Sequence, residues 1–310
     1  PDCDRMGVAV RNSKGEMELL TGNQIGSLLA WYRVNTLIEQ GILTPENIHR
    51  AVIIKTFVTT DLQKAIAHRH GIRCVETLTG FKYIGAKLGK YEAALPQVVR
   101  DNYRELPESE TRAQRLQHSS YYVFGGEESY GYSGADFTRD KDGNGAVVMF
   151  AELAAYAKSR GLTVDALLDE IYAEYGYYLE RTESLTFEGA QGAAQIRRLS
   201  ESFAAEPPKE LDGSPVVRSR NFATEEIRDL EGDLVPREPM LILELADHRR
   251  IAIRPSGTEP KIKFYLFASQ TPESGKTFGG EELRAIKEQV AASLGSLWNA
   301  LRADIDRRLA

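Results

Sequence analysis

Ala51-Val52-Ile53-Ile54-Lys55-Thr56-Phe57, with Asp61 to His70 and then Ile72-Arg73-Cys74-Val75 behind it, is the stretch whose reading decides the fold. The apolar run reads as a buried strand, Asp61 to His70 as a short helix stopped by Gly71, and Ile72 to Val75 as a second strand. Strand, helix and strand at this spacing predict an α/β unit with a largely parallel sheet. His68 and His70, spaced for opposite sides of that helix, read as surface residues near Gly71.

Outward from this unit, Thr21 to Gln40 places Ile25, Leu28, Leu29 and Tyr32 at helical spacing, with Gly41 set to end the helix. Leu95 to Gln117 is polar, contains Pro96 and Pro107, and reads as a surface excursion between core elements. Tyr121 to Phe124 resumes as strand. Gly145 to Arg160 and Val164 to Tyr175 follow as helices parted by Gly161, and the first domain is expected to close near Tyr178.

The second half changes character. Leu179 to Phe187 reads as a strand and Ala190 to Ala205 as a helix, with a break at Pro207-Pro208. Extended segments follow at 215–220, 240–246, 250–254 and 262–268. A last helix repeats apolar residues from Leu283 through Ile305. Strands followed by one covering helix predict a smaller α+β domain.

At 310 residues the chain is long enough for about two domains, each with its own core. A net charge of −6 argues against general nucleic-acid binding, which needs a broad basic surface, though a local basic pocket for a phosphate is compatible with it. No apolar run approaches the roughly 20 residues of a membrane span. Cys3 and Cys74 form no CxxC pair, so neither a disulfide framework nor a zinc site is indicated, and a reducing cytoplasm is the simplest setting.

Five segments carry residues suited to chemistry. In Pro1-Asp2-Cys3-Asp4-Arg5, two carboxylates one residue apart can direct oxygens at one hard cation such as magnesium, or simply form a Pro-Asp turn. Thr77-Leu78-Thr79-Gly80-Phe81-Lys82 follows the second strand, at the end where α/β folds put ligands. Gly125-Gly126-Glu127-Glu128-Ser129 puts two acids and a hydroxyl at a strand end. These can meet the hydroxyls of a sugar, each hydrogen bond contributing about 0.5–1.5 kcal/mol net, or make a glycine turn with solvated acids.

Asp140, Asp142, Asn144 and Gly145 fall at EF-hand positions, but Ala151 stands where a bidentate Glu is required. The other reading has Arg139 and Lys141 facing a ligand pocket while Asp142-Gly143 starts a helix. In Arg254-Pro255-Ser256-Gly257-Thr258-Glu259-Pro260-Lys261, a guanidinium, two hydroxyls and the amides of a glycine turn are the parts that hold a phosphate dianion, although an exposed hairpin turn would also use Gly and Pro.

With its loops in this order, the chain resembles the α-D-phosphohexomutase superfamily, which includes phosphoglucomutases and phosphomannomutases. Pro1 to Arg5 is similar to the end of that family's Asp-Pro-Asp-x-Asp-Arg metal loop. Thr79 to Lys82 resembles its Thr-Gly-Phe-Lys turn, Gly126 to Ser129 its sugar loop, and Arg254 to Thr258 its phosphate loop. The resemblance implies an α/β/α sandwich followed by a smaller sheet covered by helices, similar to the TATA-box-binding-protein fold. Residues 1–12 would be the tail of the family's second domain, 13–178 its third and 179–310 its fourth.

The resemblance also implies an activity: reversible transfer of phosphate between the 1- and 6-positions of a hexose, through a phosphoserine and a hexose 1,6-bisphosphate. Asp2 and Asp4 would bind Mg2+, Arg5 would lie near the transferring phosphoryl group, and Lys141 would be a cation or proton carrier there. Thr79, Gly80, Glu127 and Ser129 would contact the sugar, and Arg254, Ser256, Gly257 and Thr258 the phosphate that is not reacting. Glucose phosphates are the expected substrates, with mannose or pentose phosphates as alternatives, and a non-catalytic sugar-phosphate binder as the reading from another class. The first Asp of the metal loop would precede Pro1, and the family's serine motif does not occur in these 310 residues. The expectation is a C-terminal fragment whose partners are the missing N-terminal domains, and which is inactive as a mutase alone.

Overall fold

The computed structural model of the chain describes residues 2–187, 189–256 and 260–310. Two compact units are present: Pro1–Tyr175 together with Asp229–Gly232, and Gly176–Arg228 together with Asp233–Ala310.

The first unit opens with a hairpin, β1 (Ala9–Arg11) and β2 (Met17–Leu19). Then come α1 (Gly22–Glu39), β3 (Ala51–Thr56), α2 (Leu62–Arg69), β4 (Arg73–Thr77) and α3 (Phe81–Ala93). After α4 (Gln97–Asn102) and α5 (Glu108–His118), the chain forms β5 (Tyr121–Gly126), β6 (Tyr132–Ser133), α6 (Gly143–Ser159) and α7 (Val164–Tyr175). The sheet order is β4-β3-β5-β6, parallel across β4, β3 and β5, with β6 antiparallel at the edge.

Every residue of β3 and β5 is buried, as expected of central strands covered on both faces. Val52 and Ile54 of β3 join Val75 of β4 and Phe81, Ile84 and Leu88 of α3 in one cluster. Helices α1 and α2 pack on β5 and β3, completing an α/β/α sandwich.

Two departures from the sequence reading occur here. The segment read as a surface excursion forms α4 and α5, with Thr111 and Arg115 buried. Pro96 and Pro107 stand at the N-caps of these helices, where a missing N–H breaks no helical hydrogen bond. His68 is exposed as read, but His70 Nε2 lies 2.9 Å from Tyr175 Oη and is half-buried.

The second unit runs β7 (Tyr177–Thr186), α8 (Gly189–Ala205), β8 (Glu210–Leu211), β9 (Ser214–Asn221), β10 (Leu241–Leu245), β11 (Arg250–Pro255), β12 (Lys261–Gln270) and α9 (Gly280–Leu309). The strands form one antiparallel sheet in the order β7-β12-β11-β10-β9-β8, on which α8 and α9 pack. Leu283, Ile286, Val290, Leu294, Leu297, Leu301 and Ile305 of α9 are all buried, so its apolar stripe is the face laid on the sheet. Phe264 of β12 meets Phe203 of α8 and Trp298 of α9 at ring-centroid distances of 6.3 and 6.0 Å.

Candidate active site

Parallel pairing brings the carboxyl ends of β4 and β5 to one edge of the sheet, so the loops following them are neighbours. Gly80 in the first loop has φ +113°, a conformation that L side chains rarely adopt. Its N–H donates to Glu127 Oε1 of the second loop at 2.7 Å. This bond joins the Thr-Gly-Phe-Lys turn to the Gly-Glu-Glu-Ser loop. Glu127 is 6% exposed and its own N–H donates to Gly131 O, while Ser129 is half-buried in the same turn. The Thr79 hydroxyl is buried with no hydrogen-bond partner among the described residues.

The N-terminal carboxylates arrive at the same place. Arg5 bridges Gly131, and the Met6 N–H donates to Tyr130 O at 3.1 Å. Asp4 Oδ2 lies 3.0 Å from Lys141 Nζ, which also reaches Asp140 at 3.2 Å. The hydrogen bond from Lys141, opposed by slight desolvation, holds the Asp4 carboxyl below its ordinary value of 3.8. Burial alone would lower the Lys141 pKa, but hydrogen bonds and attraction from Asp4 and Asp140 outweigh it and raise it above 10.5. Lys141 therefore holds its proton and acts here as a fixed cation.

The sign for Asp4 follows. Because its folded pKa is depressed, the Asp4–Lys141 pair is complete above pH 3.8 and is lost as pH falls through the lower, folded value. An NMR titration of the Asp4 carboxyl carbon is expected to show this depressed midpoint, and Lys141→Met to return it toward 3.8. An unchanged midpoint in the variant would mean that Lys141 is not its partner.

The two carboxylates, close enough for Asp2 to affect Asp4, are donors suited to a hard cation, and Lys141 supplies the positive charge beside them. Among the described residues no group of three or more His, Cys, Asp or Glu side chains could hold a metal ion. The EF-hand-like segment does other work: Asp142 caps α6, its carboxylate accepting the Gly145 N–H at 2.9 Å.

Sequence reasoning missed two positioning residues. A β-carbon at Gly22 would lie 2.0 Å from Glu128 O, and one at Gly143 2.4 Å from Cys3 O. The backbones of the Gly-Glu-Glu-Ser loop and the N-terminal loop thus pack directly on the first residues of α1 and α6. The available signal was a glycine directly after each capping residue, Thr21 and Asp142, where glycine is a poor helix former.

In the second unit Arg254, at the end of β11, is paired in register with Lys263 of β12, and its guanidinium lies 3.9 Å from Glu238. Ser256 N–H donates to Lys261 O at 2.8 Å. Gly257 and Thr258, the other predicted phosphate contacts, lie outside the described residues, as does Pro1.

Comparison with known proteins agrees with this architecture. The phosphoglucomutase/phosphomannomutase alpha/beta/alpha domain III family matches residues 21–96 and 110–175. A phosphoglucomutase of Staphylococcus epidermidis is 32% identical over 274 residues, covering 87% of this chain and 44% of its own length. One from Staphylococcus aureus is 32% identical over 270 residues, covering 86% and 43%. The chain thus spans less than half the length of these curated relatives. The open form of parafusin, a Paramecium phosphoglucomutase, shares the fold, with a TM-score of 0.54 and 17% identity over 99% of this chain and 44% of its own. With the loops, the sandwich and these relatives in agreement, the first unit is a phosphoglucomutase/phosphomannomutase alpha/beta/alpha domain III, and the chain as a whole is similar to phosphoglucomutases.

Proposed function

We propose that the chain supplies the sugar-gripping and phosphate-gripping parts of a phosphohexomutase that interconverts hexose 1-phosphate and hexose 6-phosphate, with glucose as the favoured sugar. The observation that carries this reading is the Gly80–Glu127 bond, which locks two loops together beside the Asp4–Lys141 pair. Glu127 accepts hydrogen bonds from sugar hydroxyls, the Ser129 hydroxyl donates to them or accepts from them, and Thr79 offers a hydroxyl that no described residue engages. Arg254 and the Ser256 turn hold the phosphate that is not reacting. Gly257 and Thr258 join them in this role.

Arg5 and the protonated Lys141 stabilise charge at the reacting phosphoryl group, since phosphoryl transfer needs positioning and electrostatic help more than covalent protein chemistry. Asp2 and Asp4 would hold Mg2+, which when bound neutralises charge on the phosphoryl oxygens. The phosphoserine and the remaining domains would come from sequence outside these 310 residues, in a cytoplasmic enzyme. Among the described residues no helix is long and apolar enough to cross a membrane.

Calorimetric titration with glucose 1-phosphate and glucose 1,6-bisphosphate tests this reading. Arg254→Ala is expected to weaken binding of both by about 10- to 100-fold, the loss of a charge-assisted contact to phosphate. Unchanged affinity would remove Arg254 from the site. Tighter binding of the mannose phosphate would reassign the sugar.

A further inference from the structure

The order β4-β3-β5 also brings the amino ends of three parallel strands together, at the edge of the sheet opposite Thr79 and Glu127. Arg50 directly precedes β3, Arg73 opens β4, and Ser120 directly precedes β5. A cavity of about 500 Å³ lies there, and its lining includes Arg50, Arg73, Lys90, His49 and His118, with Glu231 as its one acid. That volume falls within the roughly 300–1,000 Å³ range of small-molecule sites.

The charge is unbalanced. Glu231 is already engaged by Arg73 at 2.7 Å, Tyr91 Oη at 3.0 Å and Lys87 at 3.1 Å, with Lys90 at 3.9 Å. Lys87 is further paired with Asp229. Arg73 is held in place by donation to Ser120 Oγ at 2.7 Å, yet its Nε is buried with no hydrogen-bond partner. Among the described residues the side chains of Arg50, His49 and His118 have no ion-pair or hydrogen-bond partner. Forked guanidinium donors, an ammonium and imidazoles around one cavity suit an anion with several oxygens and more than one charge.

We propose that this cavity is a second binding site, for a compact diphosphate: pyrophosphate itself or the diphosphate group of an ester. It lies at the opposite edge of the sheet from the Gly-Glu-Glu-Ser loop, so it does not depend on the proposed mutase reading. The fixed Arg73 is the anchor, Arg50 and Lys90 close on the outer oxygens, and the imidazole N–H groups of His49 and His118 donate to the anion.

The test is calorimetric titration of the 310-residue chain carrying Arg254→Ala, which weakens competing binding at the proposed phosphate loop, with pyrophosphate, a methyl diphosphate ester and orthophosphate. Saturable binding of pyrophosphate, tighter than that of orthophosphate, is expected. Adding Arg50→Ala and His118→Ala should weaken it by about tenfold or more, the scale of lost charge-assisted hydrogen bonds. Lys90→Gln, a change on an exposed side chain, gives an independent weakening should the double variant fold poorly. Ester binding as tight as pyrophosphate would assign the site to an esterified ligand, and preference for pyrophosphate to the free anion. No saturable binding at millimolar concentration, equal weak binding of pyrophosphate and orthophosphate, or affinity indifferent to these substitutions would overturn the proposal.

Discussion

Replacing Lys55 by alanine is expected to destabilise the first unit by about 3 kcal/mol, the lower end of the cost of breaking a buried ion pair, because the ammonium is fully buried while its carboxylate partners are part-exposed. Lys55 lies in the central strand β3 and is 0% exposed. Its ammonium is 2.9 Å from both Asp61 and Glu76 and also donates to Thr59 O at 3.2 Å. The Glu76 side chain is itself largely buried, and its other oxygen meets Lys64 only at 3.4 Å. Truncating Lys55 removes the shared cation and leaves a cavity in the sheet. Lys55→Met, which keeps the volume of the stem, should recover the packing part of the loss but not the electrostatic part. Urea unfolding followed by Trp31 fluorescence in a Trp298→Phe background reads the first unit alone, because the two tryptophans fall in different units. An alanine variant within about 1 kcal/mol of the parent would show that the cluster contributes little net stability, as some buried ion pairs do.

The second large effect is expected at Glu127. Glu127→Ala removes the acceptor of the Gly80 N–H and a proposed contact to the sugar, and should weaken hexose-phosphate binding by about 100-fold or more from the loss of charged hydrogen bonds. Glu127→Gln keeps one carbonyl oxygen and should recover part of the affinity. Titration of both variants, with amide hydrogen exchange at Gly80, separates the roles. Faster exchange at Gly80 with unchanged sugar affinity would make Glu127 a loop brace and not a ligand contact. Loss of affinity with normal Gly80 protection would make it a ligand contact only.

Much of the architecture was legible in local pattern. The apolar run 51–56, the glycine stops after α1 and α2, and the seven-residue stripe of α9 each mark an element that the structure contains. Burial imposes period and composition on such segments, so their sequences carry the signal. Helices α4 and α5 were hidden because the residues that α5 buries, Thr111 and Arg115, are polar and make no apolar stripe, and because their prolines sit where proline is harmless.

The candidate site divides the same way. Its residue types and loop order are local properties, so the sequence by itself determined the superfamily resemblance and named Glu127, Lys141, Asp4 and Arg254. Tertiary structure alone decided which of these meet. The Gly80–Glu127 bond spans 47 residues and the Asp4–Lys141 pair joins the N-terminal loop to the start of α6. The buried Lys55 cluster and the cation-lined cavity at the amino ends of the strands were likewise invisible in sequence. Each gathers residues from separate strands and loops, and only strand order and register set their distances, which no local periodicity encodes.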